Sequence, residues 1–390
     1  MGGSGPMNAP GQARTTVFTQ MSALAMRHNA INLGQGFPDE SGPDHIIEAA
    51  ALAMRDGHNQ YPPLAGIPQL RQAIADHQRR FYGLEPDTED GIVVTAGASE
   101  ATAAAMLALA GPGDEVIALE PYYDAYKACA AMAGATLVPV RLEAPAYRLD
   151  AERLRAAVGP RTRVLLINSP HNPTGTVLEE TELAAIAELA VERDLIVVTD
   201  EVYEHLVFDD HRHRPLASFP GMWDRTVTIS SAGKTFSVTG WKIGWASGPA
   251  DLIARVKAVK QFLSFASGTP FQYAITEALN TGDDYYRDYV AGYRERRDFL
   301  VAGLADLGFT VTEPQGTYFV TTSAAPFGAK DGMEFCLDLP ERCGVVAIPN
   351  QAFYADPDAP RPEVRFTFCK PLPVLQEGLD RLRRGLHRAT

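Results

Sequence analysis

Between residues 92 and 262, short apolar, β-branched runs alternate with longer stretches whose apolar residues recur at helical spacing. Runs at 92–95, 115–119, 136–140, 163–168, 195–199, 226–230 and 243–247 read as strands, and 123–133, 150–158, 180–193 and 250–262 as helices. Helices placed between strands return the chain to one edge direction, so this alternation predicts a mostly parallel sheet with helices on both faces. Sheets of that kind bind ligands outside the carboxyl ends of their strands. The residues at those ends are therefore the first place to look for chemistry.

The flanking regions have a different pattern. Residues 13–30 read as a helix with Val17, Met21, Leu24 and Ala25 on one face, and helices are expected at 44–55 and 69–82. From residue 283 a long charged helix to 307 is followed by strands at 309–312, 317–321, 344–348 and 363–368 and helices at 331–339 and 373–387. This suits a smaller α+β domain. At 390 residues the chain exceeds what one core usually serves. The expected division is a Gly/Ser/Pro-rich, disordered tag over 1–12, an N-terminal arm over 13–45 packing with the small domain, a large domain over 46–282, and a small domain over 283–390.

The formal net charge is −13 and no block of Lys or Arg interrupts it, which argues against nucleic acid or an anionic membrane as partner. No apolar run is long enough to span a bilayer. The four cysteines, Cys129, Cys336, Cys343 and Cys369, form no Cys-x-x-Cys pair and read as buried thiols of a cytoplasmic protein.

Four strand ends carry candidate chemistry. The run Thr226-Val227-Thr228-Ile229 leads into Ser230-Ser231-Ala232-Gly233-Lys234, where small residues would let a ligand approach one lysine closely. A lysine whose pKa is lowered by burial and cationic neighbours can attack an aldehyde. A phosphate-binding P-loop would need glycine six residues before Lys234, and Thr228 stands there. Leu195–Thr199 leads to Asp200-Glu201-Val202-Tyr203, and Leu165–Asn168 to Ser169-Pro170-His171-Asn172-Pro173-Thr174-Gly175. Ile92–Thr95 leads through Gly97, Ala98 and Ser99 into an Ala-rich helix, whose N-terminus is a ready anion site. Taken singly, Asp200 reads equally well as a helix cap, Asn172 as a turn residue and Arg365 as one side of a surface ion pair. Gly34-x-Gly36 lacks the third glycine of a dinucleotide turn, so a loop whose backbone nears a ligand is expected there. Asp209-Asp210-His211-Arg212-His213 has a metal-like composition but reads as a solvated loop, with no metal site. His171 reads as a structural turn residue, and Tyr285, Tyr289 and Tyr293 as core packing against the small domain.

Together, Asn172-Pro173-x-Gly175, Asp200-Glu201-x-Tyr203, Ser231-Ala232-Gly233-Lys234-x-Phe236, Gly240-Trp241-Lys242-Ile243-Gly244, Arg365-Phe366 and Asn32-Leu33-Gly34-Gln35-Gly36 resemble the class I/II aminotransferases, fold-type I enzymes that use pyridoxal 5′-phosphate (PLP). The resemblance runs from about residue 13 to the end. It is nearest to the kynurenine/glutamine aminotransferase-like branch and to actinobacterial N-succinyldiaminopimelate aminotransferases. It implies a large domain with a mostly parallel seven-stranded sheet, a smaller α+β domain, and a homodimer.

It also implies roles for individual residues. Lys234 would hold the cofactor aldehyde as a Schiff base and move the substrate proton, Asp200 would pair with the ring nitrogen, and Tyr203 and Asn172 would reach the ring's 3′-oxygen. Tyr123 would stack on the ring. Gly97, Ala98, Ser99, Ser231 and Lys242, with Tyr61 crossing from a partner subunit, would take the phosphate. Arg365, Asn172 and Gly36 would bind the substrate α-carboxylate, with Phe18, Phe37 and Tyr318 walling the side-chain pocket.

The implied reaction carries an amino group from an L-amino acid to a 2-oxo acid by a ping-pong route through the 2-oxoglutarate/glutamate couple, with N-succinyl-LL-2,6-diaminopimelate as a candidate substrate. A kynurenine, aromatic or sulfur amino-acid aminotransferase with cysteine-S-conjugate β-lyase activity is the alternative. A non-catalytic effector of the same fold is disfavoured, because the chain carries both Lys234 and Asp200 and no helix-turn-helix precedes residue 13.

Overall fold

The structure, a computed structural model, describes residues 16–386. The tag expected over 1–12 lies outside the described residues. A seven-stranded sheet runs in the order Ile92–Ala96, Ile243–Ser247, Thr226–Ser231, Ile196–Asp200, Thr162–Asn168, Glu115–Glu120 and Thr136–Arg141. Ile243–Ser247 is antiparallel to both its neighbours, and the other six strands share one direction.

The strands are apolar on both faces because both faces are covered. Leu165, Ile167 and Val197 pack with Leu183 and Ile186 of the helix Glu180–Glu192. One residue out of phase, Leu166, Val198, Val227 and Ile229 pack with Ala101 and Ala105 of the helix Gly97–Leu109 and Val256 of Ala250–Leu263. Each such side chain contributes about 1.5–3 kcal/mol by leaving water. At the sheet's other end Ile92, Val94 and Trp245 pack with Leu70 and Ile74 of Pro68–Tyr82.

A four-stranded antiparallel sheet in the order Ile348–Pro349, Glu363–Thr367, Phe319–Ser323 and Thr310–Thr312 forms the second unit. Met21 of the helix Val17–Arg27 and Leu33 share its core with Val345, Phe366 and Leu375. The long helix Asp283–Asp306 touches both parts. Its Tyr286 packs with Phe236 and Trp245 of the large sheet region, and its Leu300 and Leu304 with Phe366.

Three element expectations need correction. The helix expected over 13–30 ends at Arg27, just before Asn29 takes a left-handed φ of 48°. The strand expected at 344–348 is two: Val345–Val346 pairs in parallel with Ile31–Asn32, while Ile348–Pro349 pairs antiparallel with Glu363–Thr367. A helix at Thr269–Leu279 was not foreseen. Its opening Gly268-Thr269-Pro270 has turn composition, yet proline is compatible with a first helical turn, and Ala274, Ile275 and Ala278 behind it are buried.

Candidate active site

The carboxyl ends of the central strands open on a cavity of about 410 Å³. It is the size of a cofactor site, and Lys234, Asp200, Tyr203, Asn172, Tyr123, Ser231, Lys242, Gly97, Ala98, Ser99, Gly36, Arg365 and Phe18 line it.

Lys234 sits on a single helical turn, Ala232–Thr235, which Ser231 caps by accepting from the Gly233 amide at 3.1 Å. Its Nζ donates to the Tyr318 hydroxyl at 3.0 Å, and that hydroxyl donates to the Gly36 carbonyl at 2.6 Å. Burial brings the Lys234 pKa down to about 8; Arg365 and Lys242 push the same way and Asp200 opposes them. The amine is thus within reach of its neutral, nucleophilic form near physiological pH.

Asp200 ends the strand Ile196–Asp200 and is 7% exposed. Burial raises its carboxyl above the ordinary range, while the Tyr126 hydroxyl, donating at 2.7 Å, and the Val202 amide at 3.3 Å favour the charged form and oppose that rise. Asn168, on the neighbouring strand, donates to the Asp200 carbonyl at 2.7 Å and accepts from the Asn172 amide at 2.8 Å, so one side chain fixes two of the expected site residues.

Arg365 is 2% exposed. Its guanidinium lies 3.8 Å from the centroid of the Phe319 ring and 4.8 Å from that of Phe353, and donates to Asn172 Oδ1 at 2.8 Å and the Gly34 carbonyl at 3.0 Å. Burial lowers its pKa to about 10, which leaves it charged at neutral pH. Its Nε is buried with no protein partner, so the fork holds donor capacity in reserve for an anion.

At the other end, Gly97 opens the helix Gly97–Leu109 with φ +76°, and a Cβ there would stand 3.0 Å from Lys242 Nζ. A Cβ on Gly244 would stand 2.6 Å from the Ala98 amide. The two glycines let the helix N-terminus and the lysine converge. PLP fits this donor set: an amine for its aldehyde, an acid for its ring nitrogen, and a helix N-terminus with a cation for its phosphate.

Two residues expected to wall the pocket lie elsewhere, and Tyr61, expected to serve a partner subunit, lies outside this cavity. Phe37 is 46% exposed, with Lys370 Nζ over its ring at 4.4 Å, and does not line the cavity. Tyr318 is fully buried behind Lys234, and the neighbouring Phe319 forms the wall instead. Tyr61 is 83% exposed and outside this chain's own cavity, packed edge-on against Phe265. Sequence reading passed over Tyr126, although it stands three residues after Tyr123, and also Asn168 and Phe319. It also missed the local role of the tyrosines on the long helix. Tyr289 donates to the Lys234 carbonyl at 2.6 Å and Tyr285 to that of Thr235 at 2.8 Å, so these two brace the lysine's turn, while Tyr289 and Tyr293 also pack with the core of the small sheet as expected.

His171 is a turn histidine, bonded to Thr174 at 2.7 Å. The solvated loop expected over 209–213 holds for residues 209–212 but not for His213, whose side chain is 4% exposed and bonds Glu201 at 2.9 Å. Among the described residues His77, Glu204 and His205 bring metal-type ligand atoms within 4.8 Å of one another. The two imidazole nitrogens are 2.7 Å apart. That is hydrogen-bond spacing, well under the roughly 3.3 Å that separates two ligands in a tetrahedral zinc site.

The family description "Aminotransferase class I and II" matches residues 28–382. A solved structure of N-succinyldiaminopimelate aminotransferase from Mycobacterium tuberculosis superposes with a TM-score of 0.92 at 55% identity, over 95% of this chain and 97% of that one. One from Escherichia coli, described as having a methionine aminotransferase function, gives a TM-score of 0.92 at 40% identity over 97% and 99%. Human kynurenine–oxoglutarate transaminase 1 is 35% identical over 94% of this chain and 95% of its own length.

Proposed function

The chain belongs to the class I and II aminotransferases and is a PLP-dependent enzyme, and from that premise we propose that it moves the amino group between glutamate and N-succinyl-LL-2,6-diaminopimelate. The observation that carries the substrate is the 55% identity, across nearly the whole chain, with the mycobacterial enzyme of that name. The couple runs through 2-oxoglutarate, one substrate leaving before the other enters.

Once bound, PLP supplies an electron sink for the charge left when a Cα proton departs. The chain's own residues do the rest. Lys234 anchors the cofactor and carries the proton away from Cα and back. Asp200 would keep the ring nitrogen protonated, and Tyr126, by donating to Asp200, favours its charged form. Tyr203 and Asn172 hold the 3′-oxygen, and Tyr123 covers the ring face. The start of the helix Gly97–Leu109, with Ser231 and Lys242, holds the phosphate. Arg365 grips the α-carboxylate, and Gly36 offers backbone beside it.

The proposal includes a homodimer, with Tyr61 of the partner subunit completing the phosphate site; the exposure of Tyr61 on this chain supports it. Among the described residues lining the cavity the cations are Lys234, Lys242 and Arg365, and each has a role above. The distal carboxylates of the succinyl substrate would therefore meet their cation at the cavity mouth, from the partner. The arm, large domain and small domain are assigned to 13–45, 46–282 and 283–390, and the cytoplasm is the proposed location. Four buried free thiols support that location, and among the described residues no helix is long and apolar enough to cross a membrane.

A second reading is favoured by the apolar wall of Phe18, Tyr123 and Phe319. It takes a methionine-like or aromatic amino acid, and from cysteine S-conjugates it eliminates the thiol, leaving aminoacrylate that water converts to pyruvate and ammonia. The test is kcat/KM with 2-oxoglutarate as acceptor for N-succinyl-LL-2,6-diaminopimelate, methionine and kynurenine. The proposal expects the succinyl substrate to lead by at least tenfold; a tenfold lead for either of the others selects the second reading.

A further inference from the structure

Behind the catalytic turn, on the side away from the cavity, lies a buried polar cluster that the reaction above does not use. Glu201 and Glu204 are 2% and 5% exposed, and both follow closely on Asp200. Buried acids are costly unless they are bonded, and these are bonded to the elements on either side. Glu201 meets His213, and His205 meets His77 of the helix Pro68–Tyr82 at 2.7 Å. Ser230 donates its hydroxyl to Glu204.

The last contact joins two catalytic segments. The parallel ladder between Ile196–Asp200 and Thr226–Ser231 stops at the pair Asp200–Ile229. Past that point the chain divides. One branch turns through Tyr203, and the other runs from Ser231 into the turn that carries Lys234. The last backbone bond of the ladder runs from the Glu201 amide to the Ile229 carbonyl at 2.8 Å. Glu204, next to Tyr203 and locked by its own amide to the Glu201 carbonyl at 2.8 Å, then reaches Ser230. Side chains alternate along a strand; Ser231 lines the cavity, and Ser230, one step earlier, faces the Glu204 side.

We infer that Glu204 and Ser230 are a positioning pair, which sets the Tyr203 turn against the Lys234 turn across the end of the ladder. The pair touches neither substrate nor cofactor and acts through its neighbours. Burial raises the Glu204 pKa to about 7, and Ser230, His213 and Tyr82 oppose that rise while Glu201 adds to it. The Ser230 hydroxyl is the donor that holds this carboxyl group, whose other oxygen, Oε2, is buried without a hydrogen-bond partner.

The inference rests on the roles given above to Lys234 and Tyr203. The test compares Ser230→Ala, Glu204→Ala, their double variant and Glu204→Gln. Its readouts are the single-turnover rate with glutamate, the rate of PLP capture by cofactor-free protein, and the melting temperature. Ser230→Ala and Glu204→Ala are each expected to slow turnover and capture about five- to tenfold with KM within twofold. The double variant is expected to be no slower than either single one, since one contact is removed in each case. Glu204→Gln retains an acceptor for Ser230 and should restore the rate to within about twofold of wild type. Wild-type rates in Ser230→Ala, or losses that multiply in the double variant, overturn the inference. If Glu204→Ala does not fold, Ser230→Ala and Glu204→Gln decide. Lys234→Ala in the same assay separates the two levels: an active Lys234→Ala sinks the underlying assignment, whereas a dead Lys234→Ala beside an unimpaired Ser230→Ala sinks only the positioning pair.

Discussion

Lys234 and Lys242 both line the cavity, and their environments assign them different work. Lys234 is desolvated and hydrogen-bonded to a tyrosine, whereas Lys242 stands against the start of a helix. Lys234→Arg should therefore abolish turnover, while Lys242→Arg keeps most of it, because a guanidinium can pair with phosphate but cannot take the covalent role. The reverse result in steady-state assays would exchange their roles. Only the neutral amine attacks an aldehyde. With a pKa of about 8, the PLP capture rate of cofactor-free protein should rise roughly tenfold per pH unit below pH ~8 and level off above it, whereas an ordinary lysine would keep gaining until pH ~10. A stopped-flow pH series distinguishes the two curves. Asp200→Asn should leave the cofactor bound yet slow Cα proton removal severely; a variant as fast as wild type removes Asp200 from the mechanism. Most of these residues were legible in the sequence because apolar strands lead directly to them. Phe319 was not. Thr317 takes a left-handed φ of 64° just before the strand Phe319–Ser323, and such a bend sets which of two adjacent aromatics faces the cavity. No periodicity in the sequence records that parity.

Among the elements, the phosphate end depends on backbone shape as much as on charge. Gly97→Ala places a Cβ at a left-handed position facing Lys242 Nζ. The backbone strain should cost about 1 kcal/mol, and displacement of the lysine should weaken PLP binding about tenfold in a fluorescence titration; unchanged affinity would take the helix start out of the phosphate site. The central strands should respond to truncation in the ordinary way of a packed core. Leu165→Ala, at a fully buried position, is expected to cost about 2–5 kcal/mol. The alternation of runs made these strands and their helices legible nearly to the residue. It failed where local composition and packing disagreed. The helix Thr269–Leu279 opens on turn-type residues but is held against Asp44–Arg55 and Pro68–Tyr82 by its buried face. The run 344–348 looks continuous, yet Ala347 separates two strands that pair with different partners, a matter of tertiary placement alone.

Across the whole molecule, the two parts of the chain meet at the site. Arg365 comes from the small sheet, Lys234 and Asp200 from the large one, and Gly36 from the segment after the N-terminal helix. The dimer proposed above would add one more contributor. Tyr61→Phe should then weaken PLP binding several-fold although Tyr61 is remote from its own chain's cavity; an unaltered dissociation constant would remove it from the site. Motif order made this whole-chain assembly legible, since the motifs of Asn172, Asp200 and Lys234 follow strand ends that the topology gathers. The distal substrate contacts stayed illegible, because the cavity's own cations are already committed. The most direct measurement is the visible absorption spectrum of the PLP-loaded protein before and after L-glutamate, with no oxo acid present. Loss of the band of the Lys234-bound cofactor and growth of the pyridoxamine band, with one equivalent of 2-oxoglutarate released, is the predicted result; a band that glutamate leaves unchanged would contradict the glutamate half-reaction on which the account rests.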